Sequence, residues 1–336
     1  MKSETSNSEK LPATYFDDLI PGQILPPSPD LTITSGEIAI YQSICGDPLP
    51  TSLSLPLAKK VTGMSKRIVN PGLLMHFSIG QSTVATKQVI ANLFYRGVSF
   101  KRPVFEGETL HTEVVIKGLK DLTLRKDRSP RGLVLLGITT TCVDDDSILV
   151  DYERCAMIKA RNPEHLPGHC DDLGSVETEI VLDNWKSLVP MSWDLSHLVV
   201  KNQEDWVVGM KKIDDLCDTV SNAMELVRLT QNQAPVHRNA DTSPTGERLV
   251  YGGHTVGLAQ ASLNRLVPRN ATILGWQSCD HLGPVHEGDV LSFEHTLLDQ
   301  ETLTNGKISA IKTEVFCIKG DEKSNVLDWR LVTFGA

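Results

Sequence analysis

The chain has no long hydrophobic run. Nowhere in its 336 residues does an apolar stretch approach the roughly 20 residues that span a bilayer, so no membrane association is expected. Met1 to Lys10 are polar, lack an apolar signal core and read as a frayed tail. Paired cysteines are missing too. The seven cysteines, at 45, 142, 155, 170, 217, 279 and 317, are odd in number and contain no CxxC. That spacing argues against a disulfide framework or structural zinc and favours a reducing cytoplasm. The closest histidines, His165 and His169, form His-Leu-Pro-Gly-His, where Pro and Gly oppose helical presentation to a metal; no metal site is expected. GxGxxG and GxxxxGK[ST] are absent, which removes dinucleotide and P-loop readings, and no cofactor is expected. Positive charge is in short supply. Lys and Arg number 33 against 42 Asp and Glu, and the net charge of −9 repels phosphate backbones, so no nucleic-acid partner is expected.

What is present is an internal repeat. Pro103-Val104-Phe105-Glu106-Gly107-Glu108-Thr109-Leu110 matches Pro284-Val285-His286-Glu287-Gly288-Asp289-Val290-Leu291 at an offset of 181 residues. Val69-Asn70-Pro71-Gly72 falls opposite Val250-Tyr251-Gly252-Gly253 at the same offset. Val150-Asp151-Tyr152 falls opposite Leu327-Asp328-Trp329 at 177, and Leu19-Ile20-Pro21-Gly22 pairs with Trp206-Val207-Val208-Gly209. Four matches in one order indicate a duplication. The expected domains are 1–165 and 185–336, joined by a surface linker over 166–184 that is rich in Pro, Gly, Asp and Glu.

Each half reads as one apolar helix followed by strands. Leu73 to Ile90 and His254 to Val267 are the expected helices, opened by Gly72 and Gly253. Thr109–Ile116, Val134–Val143 and Ile148–Ile158 are the expected strands of the first half. Val290–Leu298, Ser309–Ile318 and Val326–Phe334 are those of the second. One apolar helix before three long strands suggests an α+β unit in which an antiparallel sheet wraps a buried helix. Two such units side by side would share one sheet.

Several residues carry a family resemblance. Tyr15-Phe16-Asp17-Asp18-Leu19 with Gly22, the helix-opening glycines and the P-V-x-E-G-[ED] turns resemble the MaoC-like (R)-specific enoyl-CoA hydratases. Gln231-Asn232-Gln233-Ala234-Pro235-Val236-His237, Val250 to His254 and Ile90 to Tyr95 are similar to its mesaconyl-CoA hydratase (β-methylmalyl-CoA dehydratase) branch. The resemblance implies a tandem (double) hotdog fold. It implies reversible addition of water to a 2-enoyl-CoA thioester, with mesaconyl-CoA/β-methylmalyl-CoA or a related short acyl-CoA as substrate. A homo-oligomer is also expected.

The family signature is G-D-x-N-P-[IL]-H, whose Asp and His hold the reacting water. Asp47 keeps the Asp position of the first half, but Ser52 stands at the His position, and a turn or capping role fits Asp47. The second half keeps His237, with Asn232 at the Asp position. A neutral imidazole can take and return a proton, and Asn232 can orient water through its carbonyl. Gly252 and Gly253 at a helix N-terminus suit an oxyanion site, flanked by Tyr251. His254 reads either as a donor to substrate or as a helix-end residue facing solvent. His281 reads as a contact for a substrate carboxylate or as a surface loop residue, and Arg228 as a carboxylate partner or a solvated charge. Other functions open on these residues are a biosynthetic dehydratase or cyclase, a hotdog thioesterase and a non-catalytic acyl-binding subunit.

Overall fold

The computed structural model describes residues 14–125, 128–162, 165–175, 177–198, 205–243 and 246–336. Met1 to Lys10 lie outside them. The first half starts with a short edge strand β1 (Leu31–Thr32) and helices α1 (Ser35–Cys45), α2 (Pro50–Leu53) and α3 (Leu55–Thr62). A capping box of Thr34 and Glu37 starts α1, and Gly46 at φ +64° ends it. That left-handed stop turns the chain inward at Asp47. Next comes α4 (Pro71–Ser82), with Pro71 in its first turn and every residue buried. Four strands follow: β2 (Val89–Phe100), β3 (Thr109–Asp121), β4 (Arg131–Cys142) and β5 (Ile148–Lys159).

The second half repeats the plan. Edge strands β6 (Lys211–Ile213) and β7 (Asp218–Thr219) precede helices α5 (Ala223–Leu229) and α6 (Gly252–Leu266). β8 (Asn270–His281), β9 (Val290–Leu303), β10 (Gly306–Lys319) and β11 (Glu322–Gly335) complete it. The duplicated P-V-x-E-G-[ED] segment makes the same turn twice, with Gly107 at φ +96° and Gly288 at φ +89°. Val69 N–H bonds Val104 O, and Val250 N–H bonds Val285 O, both at 2.9 Å.

All strands are antiparallel and form one 11-stranded sheet. Its order is β1-β3-β4-β5-β2-β8-β11-β10-β9-β6, with β7 beside β9. The halves join through β2 and β8, where Tyr95 pairs with Cys279 and Val98 with Trp276. The sheet curls around α4 and α6, which accounts for helices buried on nearly all sides.

Two expectations need correction. Each half has four long strands, not three, and the helix expected to run to Ile90 ends at Ser82. β2 follows α4 after one 3-10 turn, and neither Pro nor Gly stands between Ser82 and Val89 to mark the boundary. The segment 166–184 is mostly exposed and is pinned at a few apolar residues. Leu166 and Leu173 are buried, and Leu182 and Trp185 join a second core with Leu274 and Phe334.

Candidate active site

A cavity of about 300 Å³ opens between the halves. The end of α4 and the turn after it, β2 and β5 line one side, through Thr83, Thr86, Asn92, Tyr95 and Arg154. The loop after α5, the head of α6 and the end of β8 line the other, through Asn232, His237, Tyr251, Gly252 and His281.

His237 closes a 3-10 turn begun by Pro235. Its Nδ1 lies 3.0 Å from Leu249 O, and a carbonyl can only accept, so Nδ1 carries the hydrogen. The lone pair of the neutral ring therefore sits on Nε2. Burial pulls this imidazole down to about 4, and the positive charges of Arg154, Arg248 and Arg238 add to that against the opposing Leu249 bond. The ring is thus neutral at physiological pH. Tyr251 packs against it edge to face, with centroids 5.8 Å apart.

Asn232 is buried in the same wall. Its Oδ1 accepts Ala234 N–H at 2.9 Å, which uses one of its two lone pairs. The amide therefore keeps a second carbonyl lone pair as well as its NH₂ for a water in the cavity. Three further contacts fix the loop. Arg238 Nε donates to Asn232 O at 2.8 Å, Asn232 N–H bonds Val227 O, and Gln233 N–H bonds Thr83 Oγ1 on the opposite half. The loop also rests on Gly80 of α4, where any Cβ would overlap the Thr230 carbonyl.

The head of α6 behaves differently from expectation at two positions. Gly252 lines the cavity, and its N–H is among the first-turn donors that a helix leaves without an internal acceptor. A Cβ there would stand 2.6 Å from His281 Cε1, so glycine lets the imidazole lie against the helix. Gly253 does not line the cavity; a side chain there would run into the Tyr251 ring. His254 is neither at the cavity wall nor facing solvent. It is fully buried with both ring nitrogens unpartnered, because the sheet encloses the helix at that turn. Burial holds it down to about 4. His281 does reach the cavity. It is pulled down to about 4 by burial first and then by the Arg154 charge, and its Nε2 has no hydrogen-bond partner. Arg228 is exposed and lies away from the cavity. Among the described residues, no group of three or more His, Cys, Asp or Glu is placed to hold a metal, and no helix is long and apolar enough to cross a membrane.

No family model matches the chain. It is 36% identical to a conserved hypothetical protein from Mycobacterium tuberculosis whose structure is a double hotdog fold. That match covers 96% of this chain and 99% of the other, with a TM-score of 0.87. The chain belongs to the double-hotdog MaoC-like family. Two characterised relatives carry related names. β-Methylmalyl-CoA dehydratase of Chloroflexus aurantiacus is 26% identical, over 83% of this chain and 80% of the relative. Mesaconyl-CoA hydratase of Cereibacter sphaeroides is 25% identical, over 91% and 89%. A structure of a MaoC-domain dehydratase from Chloroflexus aurantiacus, 24% identical, superposes over 98% of this chain and 99% of that one with a TM-score of 0.81, a likeness of fold.

In this MaoC-like chain the sister site is closed. Asp47 is fully buried and accepts from Leu49 N–H and from the amides of Asn70, Gln260 and Asn264 at 2.5–3.0 Å. Burial pushes its carboxyl up, and those bonds, Asn264 first, pull it back. Two of the amides come from α6, so Asp47 ties the halves together. At an offset of 181, Gln260 and Asn264 correspond to Ile79 and Thr83, which line the open cavity instead. Ser52, at the His position, is buried with its hydroxyl unpartnered.

The sequence reading missed Arg154 and Asn92. Arg154 shares the inward face of β5 with the buried Tyr152, Ala156 and Ile158. At the offset of 177 its counterpart is Leu331. A charge on an inward strand register, where the repeat has leucine, was the available signal.

Proposed function

We propose that this chain is a hydro-lyase that adds water reversibly to a short 2-enoyl-CoA thioester, with mesaconyl-CoA as the first candidate. The observation that carries the reading is the locked tautomer of His237, which aims a neutral base at a cavity between the halves. In the hydration direction, Nε2 takes a proton from water held by the Asn232 NH₂ as the oxygen bonds to C3. The C2–C3 π pair shifts toward the thioester and builds charge on its oxygen. Gly252 N–H, at the positive end of α6, suits that oxygen. The imidazolium then returns the proton to C2, so one water is added and nothing is released. A thioesterase reading is weaker, because no Asp or Glu lines the cavity among the described residues.

A cytoplasmic homo-oligomer belongs to the same proposal. All seven cysteines are free, and Val207, Val208, Met210 and Ile213 expose apolar surface beside edge strand β6.

The test mixes the purified protein with crotonyl-CoA and mesaconyl-CoA while following enoyl-thioester absorbance and free thiol. Absorbance loss without thiol is expected, with His237→Ala lowering the rate by about 10²–10⁴. Thiol release would point to a thioesterase, and full activity in His237→Ala would remove this histidine from the mechanism.

A further inference from the structure

We infer that Arg154, with Asn92 and His281, forms an anion subsite that selects an enoyl thioester whose acyl chain ends in a second carboxylate. This rests on the hydration reading and specifies its substrate.

Arg154 is 3% exposed and borders the cavity. Nη1 donates to Ser82 Oγ at 2.8 Å, and Nη2 donates to Thr86 Oγ1 at 2.9 Å. Both acceptors are neutral hydroxyls. They orient the guanidinium without cancelling its charge. Nε has no partner, and among the described residues no carboxylate pairs with Arg154 or lines the cavity. Of the five N–H donors on a guanidinium, two are used and three remain. A buried charge without a counter-charge is strongly unfavourable, so its retention here implies that the counter-charge arrives from outside.

The surrounding groups point the same way. Asn92 Oδ1 and Nδ2 and His281 Nε2 are buried, unpartnered and in the same cavity. Tyr95, directly across from Arg154 in the β2–β5 ladder, packs edge to face on the His281 ring with centroids 5.9 Å apart. One guanidinium fork, one amide and one imidazole make a donor-rich patch that a hydrocarbon tail cannot satisfy. A carboxylate can, in paired bonds to the fork. Arg154 and Asn92 face His237 and Asn232 across the cavity, with His281 on the histidine side, so a short acyl chain can reach both.

A competing role for Arg154 is stabilisation of the thioester oxygen during reaction, and the two roles separate cleanly. Initial rates of the intact protein are measured with mesaconyl-CoA, which carries the second carboxylate, and with crotonyl-CoA, which ends in a methyl group. The wild type is expected to favour mesaconyl-CoA by about 10²-fold or more in kcat/KM. Arg154→Met should lower that value by about 10²-fold, mostly through KM, while crotonyl-CoA turnover changes only a few-fold. Arg154→Lys keeps the charge but loses the fork, and about a tenfold loss on mesaconyl-CoA alone is expected; it serves if the methionine variant does not fold. As a readout independent of turnover, free mesaconate should raise the melting temperature of the wild type and not of either variant. Equal losses on both substrates, or crotonyl-CoA as the better wild-type substrate, would overturn the subsite while leaving hydration intact. Turnover of neither thioester would instead overturn the hydration reading, and a mesaconate-induced shift lost in the variants would still support the anion site.

Discussion

The chemistry of the cavity turns on single atoms. His237 is useful because Leu249 holds the hydrogen on Nδ1 and burial keeps the ring neutral to about pH 4. A base must be unprotonated to act, so kcat/KM should stay flat from pH 8 to about 5.5 and fall only as the pH approaches 4. A pH profile with its midpoint near 6.5, the value of an ordinary histidine, would contradict this environment. Asn232→Asp should keep the bond to Ala234 N–H while adding negative charge near the ring. That charge favours the imidazolium, so the acid limb of the profile should move upward by about one pH unit. The loop carrying these two residues was legible because its motif survives in Gln231 to His237. The bond from Ala234 N–H to Asn232 Oδ1 was not, since only the backbone geometry shows which end of the amide is occupied. Arg154 was hidden for a different reason: β5 also carries Asp151, Glu153 and Lys159, and Arg154 stands apart from them only once the inward register is known.

At the level of elements, two glycines carry distinct jobs that a substitution can separate. Gly80 lets the Thr230–Asn232 backbone lie on α4, against main-chain atoms that cannot rotate away. Gly80→Ala should destabilise the protein by about 1–3 kcal/mol and displace the loop with it. At Gly252 the neighbour is a side-chain ring, so Gly252→Ala should change the melting temperature less and instead tilt His281 out of the cavity. The two variants compared by thermal melts and mesaconyl-CoA kinetics should therefore show stability loss with activity loss in one and mainly activity loss in the other. The sequence announced α4, α6, β3 to β5 and β9 to β11 through their periodicity and turns, but not the smaller helices or the short edge strands. It concealed β2 and β8, which lie at the centre of the sheet and whose mixed apolar and polar residues show no clean alternation. Those two strands join the halves, so the cavity between the halves was concealed as well.

For the whole molecule, the buried histidines set the response to acid. His76 and His295 are held down to about 3, and His237, His254 and His281 to about 4, in each case mainly by burial. Unfolded histidines bind protons near pH 6.5. The unfolded state therefore takes up protons that the folded state refuses, and stability should be full above about pH 6.5 and fall steadily toward pH 4. Melting temperatures across that range test the sign; a midpoint that rises on acidification would refute it. The duplication has a consequence of another kind. In a dimer of identical subunits every substitution is made twice, so a carboxylate cannot be walled in at one interface and spared at the other. Fusion removes that constraint. With Asp47 sealed by Gln260 and Asn264 on one side, the other side is free to acquire Arg154 where its twin keeps Leu331. Each half can then drift toward a single trade, one as masonry and donor of a charge, the other as keeper of the base.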